Sequence, residues 1–341
     1  MDFQQNVALN QYSTMGLGGV ANYLVEITSK EELQQASSWA KQNNLPAIMI
    51  GSGSNIVWSD EGYPGIVLVN RIKGFSIASE DEIGTYINIG GGEIWDSVVE
   101  NSTKLGLTGI ECLSLIPGTA GATPVQNVGA YGQDISQTLV TLTALDTTTN
   151  LMTTIRASDC GFGYRTSIFK TSPGKYLISD ITLLLRKGHI MPPFYPALEN
   201  YLNQHSITDY SPSVIRQAVA DIRTHKLPDP TKVANCGSFF ANPKVNRSVL
   251  DSIHNEYPDV PNWASDNDTF KLSAAWLIDK AGFANYYDQE SGMATWPGQP
   301  LIFTNKNARS TADLLSFTSK VQSKVKAMFG VDLAWEPRLI A

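Results

Sequence analysis

The chain has 341 residues, 42% of them hydrophobic and only 17% charged, with a formal net charge of −7. That is enough chain for two or three packed units of ordinary size, and the composition excludes a disordered or fibrous protein. The acidic balance argues against a nucleic-acid partner, which calls for a basic stripe, so any phosphate-bearing ligand must be held locally. No apolar run approaches the roughly 20 residues of a membrane-spanning helix. Met1-Asp2-Phe3-Gln4-Gln5 lacks the basic and apolar regions of a signal peptide, and a cytosolic protein is expected. Cys112, Cys160 and Cys236 are far apart and suit neither a disulfide framework nor a zinc site, so no metal is expected. All four histidines (His189, His205, His225 and His254) follow residue 188. A Ser-His-Asp or histidine–metal mechanism in the first half is thereby excluded.

Ser29-Lys30-Glu31-Glu32 reads as a capping box opening a helix over about 30–43, with Leu33, Ala36 and Ala40 on its apolar face. Ala47–Ile50 is a short buried strand running into Gly51-Ser52-Gly53-Ser54-Asn55, and Val57–Gly62 reads as a turn. Strands are expected at 65–70 and 86–89, then a helix over 94–105 closed by Gly106. Residues 116–132 are too rich in glycine and small side chains for regular structure and read as a binding loop. Thr138–Leu145 and Tyr176–Leu185 are β-rich, a boundary follows near Lys187-Gly188, and the proline-rich stretch 191–196 reads as an exposed linker. Ser211 and Pro212 open a helix over 212–225. Further helices are expected at 248–256, 270–281 and 311–329, the last stopped by Gly330, with strands at 301–304 and 331–335. The pattern is α+β with short elements and no internal repeat.

The Gly51–Asn55 turn follows a strand, where glycine lets backbone amides approach a phosphate. It is no dinucleotide fingerprint, since position 56 is isoleucine and no helix follows. A plain tight turn explains it equally well. The 116–132 loop adds amides and the side-chain donors Thr119, Thr123, Gln126 and Asn127, and two such loops suit one diphosphate; a glycine-packed crossover is the competing account. Arg165 sits among aromatic and apolar residues, a setting for bidentate carboxylate binding or for an ordinary ion pair. Ser238 lies between glycine and phenylalanine in another polar loop, where a serine is commonly structural. Glu336 ends the expected last strand, with Arg338 as a competing surface partner.

Taken in order, these motifs together with Arg223-x-x-Lys226-Leu227-Pro228-Asp229-Pro230, Gly237-Ser238-Phe239-Phe240-x-Asn242-Pro243 and Glu336-Pro337 resemble the UDP-N-acetylenolpyruvoylglucosamine reductase family across nearly the whole chain. The resemblance is to its longer form, which carries a tyrosine loop. It implies a two-subdomain FAD-binding region of the vanillyl-alcohol-oxidase (PCMH) type over 1–188, divided at about residue 70. An α/β substrate-binding domain over 189–341 follows, with the C-terminal strand returning to the active site. Implied ligands are non-covalent FAD, NADPH as reductant, and UDP-N-acetylglucosamine enolpyruvate. The first 188 residues offer no histidine for covalent flavin attachment.

Candidate flavin-holding residues are Gly51, Ser52, Gly53, Ser54, Asn55 and Ile56 in the first loop. Those in the second are Pro117, Gly118, Gly121, Ala122, Thr123, Gln126, Asn127 and Gly129. By the resemblance, Arg165 and Glu336 polarise the substrate carboxylate and Ser238 protonates the neighbouring carbon. Lys226 and Asn242 match positions at the substrate diphosphate, Arg223 is a further candidate near the flavin or the phosphates, and Tyr195 matches the tyrosine that closes over substrate. Asn305 stands where the resemblance calls for an acidic residue, and Trp296 lies in a stretch without a secure counterpart. A sugar or alcohol oxidase on the same scaffold, and a silent nucleotide-sugar binder, are the alternatives. No apolar interaction stripe stands out, so a monomer is expected.

Overall fold

A computed structural model describes residues 1–265 and 267–341. The chain builds two compact units, each from several segments: residues 1–7, 21–52 and 63–225 in one, and 8–20, 53–62 and 226–341 in the other. It passes between them inside the first glycine loop, from Ser52 to Gly53.

The first unit holds a four-stranded sheet in the order Gln4–Ala8, Val20–Ile27, Tyr63–Asn70, Ala47–Ile50. Val20–Ile27 and Ala47–Ile50 both run parallel to Tyr63–Asn70, a geometry that demands a crossover. The Lys30–Gln42 helix supplies it, burying Leu33, Ala36 and Ala40 against Val25, Ile27, Ile66 and Leu68. Ser29 caps that helix by accepting the Glu32 N–H at 3.1 Å, while the Glu32 carboxylate reaches back to the Thr28 N–H at 2.7 Å.

The same unit contains a six-stranded antiparallel sheet ordered Leu151–Arg156, Leu139–Asp146, Tyr176–Lys187, Thr85–Gly90, Phe75–Glu80, with Leu107–Thr108 also paired to Tyr176–Lys187. The Trp95–Lys104 helix lays Trp95, Val98 and Val99 onto it beside Ile87, Ile89, Ile181 and Leu183. Gly106, at φ 72°, stops that helix in the left-handed conformation expected after a C-cap. The Met191–Pro196 stretch, exposed except for the half-buried Phe194, leads to the Pro196–Gln204 and Pro212–Lys226 helices, whose Leu198, Leu202, Ile215, Ala218 and Val219 pack with Cys112. That apolar cluster groups residues 189–225 with the first unit.

The second unit has a sheet ordered Asn235–Ser238, Gln299–Asn305, Met293–Trp296, a second ordered Lys244–Asn246, Thr269–Leu272, Asn262–Ala264, and a parallel pair of Ile56–Trp58 with Arg338–Ile340. Phe239, Phe240, Phe303 and Phe317 form its aromatic centre, with ring centroids 4.8–5.5 Å apart along successive contacts. Three expectations are corrected here. The 270–281 helix is instead the strand Thr269–Leu272 followed by the Ala274–Ile278 helix and a π turn over Asp279–Phe283, because Ser273 caps the Trp276 N–H at 3.2 Å. Residues 331–335 form no ladder beyond a bridge from Trp335 to Phe240, and the strand lies at Arg338–Ile340. The expected turn at 57–62 begins as a strand because that distant segment pairs with it.

The Thr311–Phe329 helix starts with a full Ser310/Asp313 capping box, and Asp60 takes the next donors, the Thr311 and Ala312 N–H groups, at 2.7 and 2.8 Å. A carboxylate there also meets the positive end of the helix dipole. Asp60→Ala should remove about 0.5–2 kcal/mol. Thermal melting is the check, with a fall of about 2–4 °C expected per kcal/mol for a domain of this size.

Candidate active site

In the first unit Gly51 ends the Ala47–Ile50 strand against Thr119; a side chain there would run into the Thr119 hydroxyl. Thr119 is 1% exposed and its Oγ1 has no hydrogen-bond partner. An orphaned buried hydroxyl beside a glycine cradle is what a bound polar group explains. The 116–132 loop is held from within. The Ala120 and Gly121 N–H groups donate to Glu93 and Gly91 at 2.9 Å, and Trp95 N–H donates to Gly118 at 3.1 Å. The segment Ala120–Gln126, read as irregular, is a 3-10 helix. Thr123 Oγ1 donates to the Ala120 carbonyl at 2.7 Å, so its side chain serves the loop. Asn127, at φ 46°, accepts from Ser136 N–H at 3.0 Å and donates to Gly163 O at 3.4 Å. Gly129 allows the hairpin of Gly129-Ala130 with Gln133-Asp134 to close, since a Cβ would lie 2.8 Å from that of Asp134.

Asn127 thereby ties this loop to the turn that carries Arg165. Gly163 and Thr166 exchange backbone hydrogen bonds of 3.1 and 3.3 Å around a tip in which Arg165 has φ 54°. Ser167 Oγ anchors the turn to Val125 O at 2.6 Å, and Lys170 Nζ holds the Arg165 carbonyl at 3.1 Å. A non-glycine residue in the left-handed region, fixed from several sides, is typical of a functional position. Its guanidinium lies 5.7 Å from the Tyr164 ring centre.

Sequence reasoning missed Tyr131. With Gly132 it forms the two-residue tip of the Gly129–Asp134 hairpin, at φ 49° and 87°, a mirror-image turn that ordinarily takes Asn-Gly. An aromatic in that place is the signal that Ala130-Tyr131-Gly132-Gln133 offered. The Tyr131 ring meets Tyr195 edge-on at 5.7 Å. Burial raises its phenol, partly offset by the adjacent Arg223. Desolvation lowers Arg223 while Tyr131 and Asp96 favour its charge; Nη2 donates to Leu115 O at 3.2 Å and Nε is buried without a hydrogen-bond partner. Arg223, Tyr195 and Tyr131 thus form one cluster.

In the second unit Ser238 closes the Asn235–Ser238 strand with pinned neighbours: Gly237, at φ 77°, donates to Asn235 Oδ1 at 2.9 Å, and Phe239 N–H donates to Leu301 O at 2.8 Å. Glu336 N–H donates to Phe239 O at 2.9 Å, and Arg338 N–H donates to Asn55 O at 3.1 Å. The Asn55 side-chain amide reaches the Glu336 carbonyl at 3.5 Å. One short segment therefore links the Ser238 loop to the Asn55–Ile56 end of the first glycine loop. Glu336 precedes the last strand instead of ending one. Burial, with the Glu336 charge next in weight, pushes the Cys236 thiol up to about 12.

Asn242 Oδ1 accepts the Ala274 N–H at 3.0 Å, which leaves its Nδ2 as the donor for a ligand. Lys226 is exposed, and its carbonyl accepts Trp296 Nε1 at 3.1 Å. Asn305, where an acidic residue was expected, accepts Ala308 N–H at 2.9 Å and donates to Met15 O at 3.3 Å, a bracing role that a carboxylate would fill only in part. Arg165 belongs to the first unit, Ser238 and Glu336 to the second. Among the described residues no group of three or more His, Cys, Asp or Glu side chains is placed to hold a metal, and no helix is long and apolar enough to cross a membrane.

Residues 21–154 match the model of an FAD binding domain, and residues 229–340 match that of the C-terminal domain of UDP-N-acetylenolpyruvoylglucosamine reductase. The reductase of that name from Pseudomonas putida is 34% identical over 99% of both chains, and that of Amoebophilus asiaticus 35% identical over the whole of both. The chain belongs to the UDP-N-acetylenolpyruvoylglucosamine reductase family. It is an FAD-dependent oxidoreductase, as the notable glycine cradle and the matched FAD domain agree. The crystal structure of the family member from Thermus caldophilus covers both chains completely at a TM-score of 0.67 and 21% identity, which bears on fold. 6-Hydroxy-D-nicotine oxidase from Arthrobacter nicotinovorans shares the fold at a TM-score of 0.54 and 12% identity, over 94% of this chain and 83% of the oxidase. The expected α+β architecture with a PCMH-type FAD region and a separate C-terminal domain is therefore correct. The two family matches span the Gly51–Asn55 and Pro117–Gly129 loops and Ser238, Asn242 and Glu336; Arg165, Tyr195, Arg223 and Lys226 lie outside both.

Proposed function

We propose that the protein reduces UDP-N-acetylglucosamine enolpyruvate to UDP-N-acetylmuramate, with NADPH as reductant and non-covalent FAD, in peptidoglycan precursor synthesis. Full-length similarity to reductases of that name carries this reading, supported by the tie between the Ser238 loop and Glu336. It makes the protein a cytoplasmic monomer that serves cell shape and division through the cell wall. Residues 1–188 serve FAD and supply Arg165 for the substrate, and 189–341 supply the rest of the substrate site.

FAD, when bound, relays hydride from NADPH to the substrate's vinyl carbon. The Gly51–Ile56 and Pro117–Gly129 loops would hold it, with the Thr119 hydroxyl supplying a buried polar partner. Arg165 and Glu336 take the substrate carboxylate and stabilise the charge that spreads into it. Ser238 Oγ gives a proton to the adjacent carbon, a weak acid facing a strong base. Lys226, Arg223 and Asn242 Nδ2 meet the diphosphate, and Tyr195 closes over the substrate.

Anaerobic absorbance at the flavin band tests the reading. Bleaching by NADPH and recovery on adding the enolpyruvyl substrate is expected. Bleaching without recovery would remove the cell-wall substrate. Protein that stays colourless after FAD addition would remove the oxidoreductase.

A further inference from the structure

Asp96, the second residue of the Trp95–Lys104 helix, collects three donors. Its Oδ1 accepts from Arg216 Nη1 at 2.8 Å and from Leu115 N–H at 2.7 Å, and its Oδ2 accepts from Arg216 Nη2 at 2.9 Å. The two side chains are 16% and 27% exposed, so the fork-on-fork pair is partly shielded from water. Leu115 adopts φ 53°, an unfavourable conformation for leucine, and its carbonyl accepts Arg223 Nη2. Arg216 and Arg223, seven residues apart on the Pro212–Lys226 helix, lie on one face.

The two arginines have different fates. Arg216 is consumed by Asp96, whereas Arg223 has a carbonyl, a phenol and an unsatisfied Nε. Without Asp96, the Leu115 N–H loses its acceptor, the left-handed turn keeps the Arg223 bond to its carbonyl but not this second tether, and Arg216 is released from its pair.

We infer that Asp96 is a positioning residue for Arg223: it fixes the rotation of the helix through Arg216 and aims the Leu115 carbonyl that orients the Arg223 guanidinium. The inference rests on the reading that Arg223 meets a substrate phosphate. Asp96 itself touches no substrate; it acts through the helix and Leu115. Its neighbour Trp95 donates its backbone N–H to Gly118 O in the flavin-side loop, and the Asp96 carboxylate ties Leu115, just before that loop, to the substrate-side helix.

The test is a double-mutant cycle on the FAD-loaded protein, reading the Kd for UDP-N-acetylmuramate from the flavin absorbance change. Asp96→Ala and Arg223→Ala should each weaken binding about tenfold, and the double variant should bind no more than about twofold worse than Arg223→Ala, because both remove one interaction. Asp96→Asn, which keeps an acceptor for Leu115 but loses the bidentate pair, should fall between wild type and Asp96→Ala. It carries the same cycle if the alanine variant does not fold. A purely structural Asp96 would lower the melting temperature while its effect on Kd multiplied with that of Arg223→Ala, or was nil; either result overturns the inference alone. An unchanged Kd for Arg223→Ala would overturn the phosphate reading of Arg223, and the inference with it.

Discussion

Ser238→Ala is expected to leave NADPH bleaching of the bound flavin within about twofold of wild type, while recovery on the enolpyruvyl substrate slows by about 10²–10⁴-fold, the usual worth of a general acid. The asymmetry follows from what the hydroxyl does. A proton is needed only where the substrate carbon becomes basic, and NADPH oxidation creates no such carbon. The expectation also follows from placement: the Gly237 N–H is held by the Asn235 side chain and the Phe239 N–H by the Leu301 carbonyl, and Phe239 is fully buried, so removing one oxygen between them leaves the loop standing. Single-turnover absorbance traces separate the two steps. Equal loss of both would move Ser238 out of the acid role and into flavin binding or folding, and no loss of either would leave the substrate carbon to be protonated by water.

The parts of the fold legible in the sequence were those whose signals are local. Ser29 and Gly330 mark helix ends by their own side-chain or backbone chemistry, and the helices stop within a residue or so of the expected places. What sequence reasoning missed depends on partners far along the chain. Ile56–Trp58 is a strand only because Arg338–Ile340 comes to lie beside it, and three residues carry too little periodicity to announce that. Thr269–Leu272 alternates weakly and sits next to a good helix, so the helical pattern absorbed it; Ser273 is the cap that separates the two.

The site divides in the same way. Motif order pointed to the loops and to Arg165, Ser238 and Glu336, but order says nothing of which atoms are already spent. Thr123 and Asn127 looked like ligand donors, yet their side chains brace the loop and the Arg165 turn. Asn242 gives up one end of its amide to Ala274. Tyr131 drew no notice because its one local signal, an aromatic before Gly132 in place of the usual Asn, means something only once the positive φ of a hairpin tip is known, and the sequence does not display that. Asp96 drew none because its partners, Leu115 and Arg216, lie on separate elements.

Gly51→Ala should cost the protein its flavin. The added methyl would meet the side chain of Thr119, which is itself buried and attached to a loop held by the Glu93 and Gly91 carbonyls, so neither side yields easily. Overpacking of this kind typically costs about 1–3 kcal/mol. Charged against cofactor binding, that is a rise in the FAD Kd of about five- to 150-fold, measurable by flavin fluorescence during titration of the apoprotein. Thr119→Ala removes the obstructing hydroxyl together with the orphaned donor, so on its own it should weaken FAD if that hydroxyl meets the cofactor. Combined with Gly51→Ala, it should recover part of the loss, because the methyl then has room. Recovery in the double variant would locate the defect at this contact. A Gly51→Ala protein that binds FAD as wild type does would show that the loop has slack and that its glycine is there for the turn alone.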